Sequence, residues 1–153
     1  DIKKISNREL WLMGIVLYWK ERLLNGNESD ARKGVRFTSS DPNLIKLFLK
    51  WLKDIGRIED EEIGFDIFAG EDKREIIKNL VDYWVEITGF SKDNFSHVYF
   101  QKAGPKRKIK KVNKRKGYKK AHFGLLRIRV KASSMLARQI AGWIRSIQKY
   151  YLD

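Results

Sequence analysis

Between Lys106 and Lys120 the chain reads KRKIKKVNKRKGYKK, in which ten of fifteen residues are lysine or arginine and none is acidic. Like charges repel, so folding gains nothing from crowding Lys106, Arg107, Lys108, Lys110, Lys111, Lys114, Arg115, Lys116, Lys119 and Lys120 together. A nucleic-acid backbone does gain, because each neutralised phosphate releases counterions. Tyr118 offers a ring that stacks on a base or anchors the loop, and Gly104 and Gly117 let the segment bend. The competing readings are a solvated or targeting charge run, an anionic membrane surface and an acidic protein. The segment suits either a loop that orders on binding or a long hairpin joining the strands on its two sides.

A sharper signal follows it. In Phe123–Val130 the residues alternate, so Leu126, Ile128 and Val130 face one way and Arg127 and Arg129 the other. Arginine carries a rigid donor fork suited to a guanine edge or a phosphate. Two of them on a sheet face suit a major groove. Alternatively, they pair with a carboxylate such as Asp66. Arg36 and Thr38 alternate in the same way on an earlier strand, and His122 and Lys131 flank the later one. These residues complete the expected nucleic-acid surface. Phosphate contacts of this kind position a protein without specifying a sequence.

The distribution of charge supports that surface. Formal charge is +14. Residues 1–101 hold 16 basic and 18 acidic side chains, a net of −2, whereas residues 102–153 hold 17 basic and one acidic, a net of +16. A field gathered into the last third suits a polyanion.

Four other residues bear on chemistry. Glu21, near the end of the first helix and unburied by pattern, is a metal ligand or general base, or else a surface carboxylate paired with Lys20, Arg22 or Arg32. Asp66, on a polar strand face, is a second metal ligand or a partner for Arg127 and Arg129. His97 contacts phosphate or acts as a base, or simply begins a strand. His122 lies in basic sequence, which favours its neutral form.

Several classes are excluded. With no cysteine there is neither a disulfide nor a thiolate metal site or nucleophile. Gly64 and Gly70 lack the glycine-rich pattern and the Lys-Ser or Lys-Thr of a phosphate loop, and no nucleophile elbow is present. No apolar run is long enough for a membrane span, and no signal-peptide layout is visible. Cysteine usage suits a cytoplasmic or nucleoid-associated protein, and a chain that starts at Asp1 suits a piece of something longer.

The elements that must position these residues are readable. Ser6-Asn7-Arg8-Glu9 is a capping box opening a helix over about 7–24, which Asn25-Gly26-Asn27 ends. This helix is apolar round most of its girth and is expected to be buried on more than one side. A short strand lies near Val35–Thr38. Asp41-Pro42 caps and starts a second helix with an apolar stripe through Leu44, Ile45, Leu47, Phe48, Trp51 and Leu52, ending at Gly56. Ile63–Phe68 is a strand with Ile63, Phe65 and Ile67 on one face. Asp72–Glu75 reads as another capping box for a helix to Thr88, stopped by Gly89. His97–Gln101 is a strand. Ser133 or Ser134 caps a last helix running to about Tyr150. Trp51, Trp84 and Trp143 fall at core spacing. The expected fold is α+β, one domain over 1–153, with an antiparallel or mixed sheet, helices on one face and an exposed basic face opposite. The basic loop occupies 104–120.

This layout resembles the LAGLIDADG homing-endonuclease-like fold. Leu12-Met13-Gly14-Ile15-Val16 is similar to the opening of the family motif, and Val35–Pro42 to its strand-to-helix step. "YWKE" followed by "FTSSDP" also resembles proteins of this fold that carry a helix-turn-helix segment upstream. The resemblance implies a first helix that packs against a counterpart, here through Met13, Gly14 and Leu17 of a homodimer, although Gly14 also suits close packing within one chain. It also implies a metal-binding acid at that helix's end. There the sequence departs: the family's catalytic aspartate falls on Trp19, the following glycine on Lys20 and the earlier acid on Leu17. Glu21 is the one acid nearby, with Asp66 as a conceivable second ligand. The resulting expectation is double-stranded DNA binding without cleavage and without a cofactor. The alternatives are a magnesium-dependent endonuclease and an RNA-binding or ribosome-associated protein.

Overall fold

A computed structural model describes residues 2–24, 33–102 and 122–153. Helix α1 (Asn7–Leu24) starts at the expected box. The Ser6 N–H donates to Glu9 Oε2 at 2.6 Å, and the Glu9 N–H donates to Ser6 Oγ at 3.2 Å. Hydrogen bonding from Ser6, chiefly from its backbone N–H, holds the Glu9 carboxyl below its ordinary range. Helix α2 (Pro42–Asp54) is capped by Asp41, whose Oδ1 accepts the Asn43 N–H at 2.8 Å. It buries Ile45, Phe48, Leu49, Trp51 and Leu52. Between them lies strand β1 (Arg36–Ser39).

Strand β2 (Ile63–Gly70), helix α3 (Ile77–Thr88) and strand β3 (Phe95–Gln101) form a strand–helix–strand unit whose two strands pair in parallel. Gly89 ends α3 in the left-handed region, at φ 72°. Strand β4 (Leu125–Val130) leads into helix α4 (Ser134–Ile147), and a π-helical turn follows at Gln148–Leu152. The four strands make one mixed sheet in the order β1-β4-β2-β3, with β4 antiparallel to both of its neighbours.

Helices cover one face. Phe37, Ile63, Phe65, Ile67, Leu126, Ile128 and Val130 point into that layer and meet Leu10, Ile15, Tyr18, Phe48, Trp51, Trp84 and Ile140. Each fully buried large apolar side chain contributes about 1.5–3 kcal/mol through removal from water. Two tryptophans tie the layer to the backbone: Trp51 Nε1 donates to the Trp11 carbonyl at 3.2 Å, and Trp84 Nε1 to the Phe123 carbonyl at 2.9 Å. Trp143, expected in the core, is only partly buried and meets Trp11 edge to face.

Several expectations are corrected. Helix α1, expected to be buried on more than one side, packs against α2, β1 and α4, yet it keeps an open stripe: Leu10, Gly14, Ile15, Tyr18 and Glu21 face inward, while Leu12, Val16 and Leu23 are exposed. Gly14 lies beneath the Trp51 indole, where a Cβ would collide with the ring. Its lack of a side chain is therefore used within the monomer. Among the described residues the box expected at Asp72–Glu75 does not form. Arg74 bonds back to Glu71 at 2.9 and 3.0 Å and lies over the Phe100 ring, so Glu71–Ile76 winds as a 3₁₀ turn and α3 begins later. The hairpin reading for the basic segment also fails, because β3 and β4 are not neighbours; both flank β2.

Ser133 does more than precede α4. Its hydroxyl accepts the Val35 N–H at 2.8 Å and donates to the Val130 carbonyl at 2.6 Å. It makes no side-chain cap bond to the helix. The residue clamps the chain entering β1 to the end of β4. Ser133→Ala is expected to lower the unfolding free energy by about 1–3 kcal/mol, since it strands a buried N–H. A urea curve superimposable on that of the unaltered protein would mean that the hydroxyl holds nothing.

Candidate nucleic-acid interface

Alternation along the strands sends a second set of side chains to the face away from the helices, and the register arranges them in rows. Thr38, Arg127, Asp66 and His97 follow one another across β1, β4, β2 and β3. One step toward the start of β2 lie Arg36, Arg129 and Gly64. One step toward its end lie Leu125, Phe68 and Tyr99.

The two strand arginines, equivalent by sequence spacing, have different partners. Arg129 grips Asp66 with two bonds, Nε to Oδ2 at 2.6 Å and Nη2 to Oδ1 at 3.2 Å. Charge-assisted forked contacts are the strong kind. Gly64 makes room for this, because the guanidinium lies over its Cα, where a Cβ would come within 3.2 Å. Asp66 is 3% exposed. His97 Nδ1 lies 3.3 Å from its Oδ1. Arg127 instead sits over the Phe68 ring, 4.5 Å from its centroid, and pairs with no carboxylate among the described residues. Phe68 in turn stacks on Tyr99. The one carboxylate on these rows is thus matched by Arg129, and Arg127 and Arg36 share the rows with that pair.

Glu21 is not the surface carboxylate expected from the pattern. It is buried, and a carboxylate oxygen accepts the Thr38 N–H at 3.0 Å. Thr38 pairs with Arg127 across β4, and its N–H points the opposite way, along the open edge of β1. Glu21 therefore closes a strand edge. Burial beside it pushes the Tyr18 hydroxyl above its usual range. Asp66 sits on β2, which is separated from β1 by β4. At ~4.8 Å per strand step the two backbones are roughly 10 Å apart, too far for one ion with ligands at about 2.3–2.6 Å. The proposed pair of metal ligands is not brought together, and no cluster of three His, Asp or Glu residues that could hold a metal occurs among the described residues.

Other expected residues fall as follows. Lys131 is exposed at the end of β4, with its Nζ donating to the Glu61 carbonyl at 3.2 Å. His122 is exposed and meets Phe123 edge to face. Lys106, Arg107, Lys108, Lys110, Lys111, Lys114, Arg115, Lys116, Tyr118, Lys119 and Lys120 lie outside the described residues, as does Arg32. The flanks of the basic segment are described: Gln101 is opposite Gly70, and Leu125 is opposite Phe68, so both lie at the same end of the sheet. Met13 and Leu17 are half-buried, and Gly14 is fully covered. The outward stripe of α1 runs through Leu12, Val16 and Leu23 instead. Beside it an apolar groove between α1 and α4 is lined by Trp11, Leu12, Trp143, Ile147, Tyr150 and Tyr151.

Phe68 was not singled out by the sequence reading. The signal was available, because Phe68 has the same parity as Asp66 and belongs to the polar face. Its neighbours Tyr99 and Leu125 come from other strands, which only the register reveals.

Comparison with protein families, with curated proteins and with solved structures finds no match to this chain.

Proposed function

We propose that this chain binds double-stranded DNA, using the open face of its sheet together with the basic segment at 106–120, and does not cleave it. The observation that carries the reading is the separation of charge: a net of −2 over residues 1–101 against +16 over residues 102–153. The described flanks of the basic segment meet the sheet at one end, beside the face that presents Arg127 and Arg36. The lysines and arginines of that segment neutralise phosphates in this reading, and counterion release provides the affinity.

The resemblance to the LAGLIDADG-like fold supports the same reading, since sheet faces in that family lie against DNA. The occupied carboxylates favour binding over cutting. Glu21 is held at the β1 edge by a backbone N–H and Asp66 on β2 by Arg129, so the two do not come together as the oxygen ligands that a metal at a scissile phosphate needs. The magnesium-dependent nuclease therefore remains the secondary reading. RNA binding shares the electrostatic argument, because phosphate contacts do not distinguish the two polymers.

The test is titration of a labelled duplex of mixed sequence with the full chain, at low and at physiological salt, with and without magnesium, and against a structured RNA competitor. Expected are tight, salt-sensitive duplex binding and an intact duplex after incubation. Negligible affinity at low ionic strength overturns the proposal. Preference for the RNA transfers it to that ligand, and magnesium-dependent nicking restores the nuclease.

A further inference from the structure

The face described above is not uniformly cationic. Its row one step from Asp66 toward the end of β2 is apolar and aromatic: Leu125 at 41% exposure, Phe68, and Tyr99 at 44%. Three contacts make it a ladder of flat groups. The Arg127 guanidinium lies 4.5 Å from the Phe68 centroid. Phe68 and Tyr99 stack at 5.0 Å with 20° between their planes. Tyr99 and His97 stack at 5.5 Å with 24° between theirs. Because β4 and β3 flank β2 on opposite sides, Phe68 receives Arg127 from one side and Tyr99 from the other. Tyr99 stands on the edge strand, with no strand beyond it among the described residues. Tyr99 thus stands between Phe68 and His97 in the ladder, with 44% of its surface still open.

We infer that Tyr99 is a stacking site for one unpaired nucleobase, so that the favoured ligand is duplex DNA carrying a nucleotide out of its stack. This rests on the reading that the open face meets DNA. Three observations select the ligand. The open area of Tyr99, a ring 44% exposed on the edge strand, is offered to another flat π system. Arg127, two groups away, is a cation unmatched by any carboxylate among the described residues. The one acid on these rows, Asp66, is neutralised by Arg129. A flat ring linked to an anion satisfies all three, and a nucleotide is such a molecule.

The inference that the base must be unpaired follows from duplex geometry. Inside a duplex the faces of each base are covered by their neighbours, and the grooves show only edges. Sheet-borne aromatics that meet nucleic acid stack on splayed or single-stranded bases instead. A continuous duplex leaves Tyr99 without a face to stack on, whereas a bulged nucleotide supplies one.

The experiment compares two duplexes that differ only in one added central, unpaired 2-aminopurine in one strand of the second, each titrated with the full chain. Stacking on an aromatic side chain gives a preference of about tenfold for the bulged duplex, with quenching of the 2-aminopurine fluorescence on binding. Tyr99→Ala brings the ratio of the two affinities to about one and removes the quenching. Tyr99→Phe keeps both, because the ring remains. Tyr99→Leu keeps apolar bulk without the ring and behaves as the alanine variant does. Equal affinities for the two duplexes with the unaltered protein, or a preference that survives Tyr99→Ala, overturn the stacking site while leaving DNA binding intact. Absence of binding to either duplex at low salt removes DNA binding itself, and the stacking site with it.

Discussion

Replacing the ten lysines and arginines between Lys106 and Lys120 by glutamine should flatten the salt dependence of duplex binding and reduce the affinity at low salt by orders of magnitude. Log affinity falls with log salt at a slope of about 0.9 per phosphate neutralised. If the unaltered chain neutralises six or more phosphates, raising salt from 50 to 200 mM weakens it roughly 10³-fold. A variant left with about three cations on the sheet, such as Arg36, Arg127 and Lys131, weakens only about 40-fold over the same interval. The measurement is a pair of log–log salt titrations on one duplex. Parallel slopes would show that the segment touches no phosphate and would remove the main support for the proposed function. The helical signal and unfolding midpoint of the variant are measured beside those of the parent, which separates lost binding from lost folding.

A second large effect is expected in stability rather than binding. Arg129→Ala should lower the unfolding free energy by about 3–5 kcal/mol, because it leaves a buried carboxylate without its counter-charge. The two partners are not equivalent. The Asp66 side chain is 4% exposed and that of Arg129 is 28% exposed. An abandoned Arg129 can turn toward water and an abandoned Asp66 cannot, so Asp66→Asn should cost less than Arg129→Ala. Replacing both together by leucine should recover much of the loss, since the pair bears a desolvation cost that a well-packed apolar pair does not. Equilibrium urea unfolding of the four proteins tests this ordering. An Arg129→Ala variant within about 1 kcal/mol of the parent would falsify the claim that Asp66 depends on it. The same comparison separates the two strand arginines, because Arg127→Ala removes a guanidinium that lies on a ring and leaves no buried acid behind.

The local signals in the chain were legible where one residue acts on its near neighbours. The Ser6–Glu9 box, the Asp41 cap with Pro42, and the stop at Gly89 all depend on contacts within a few residues, and each forms as its spacing implies. Parity along β2 and β4 separated Ile63, Phe65, Ile67, Leu126, Ile128 and Val130 from Asp66, Arg127 and Arg129, because side chains alternate whatever the strand's partner. The box at Asp72–Glu75 had the right letters and did not form. There Arg74 found Glu71 and the Phe100 ring, contacts that a four-residue pattern does not contain.

What the chain's order of residues determined by itself is therefore the kind of each element, which side chains share a face, and the concentration of positive charge after residue 102. Tertiary structure decided which strands are neighbours and hence which partners meet. It put β3 beside β2 in parallel, closed the β1 edge with Glu21, filled the space over Gly14 with Trp51, gave Asp66 to Arg129 and set Arg127 on Phe68. The physical reason is one of range. Periodicity and capping are written in steps of two to four residues, whereas these pairings join residues 17 to 63 positions apart. They are selected only by the packing of the whole sheet against its helices.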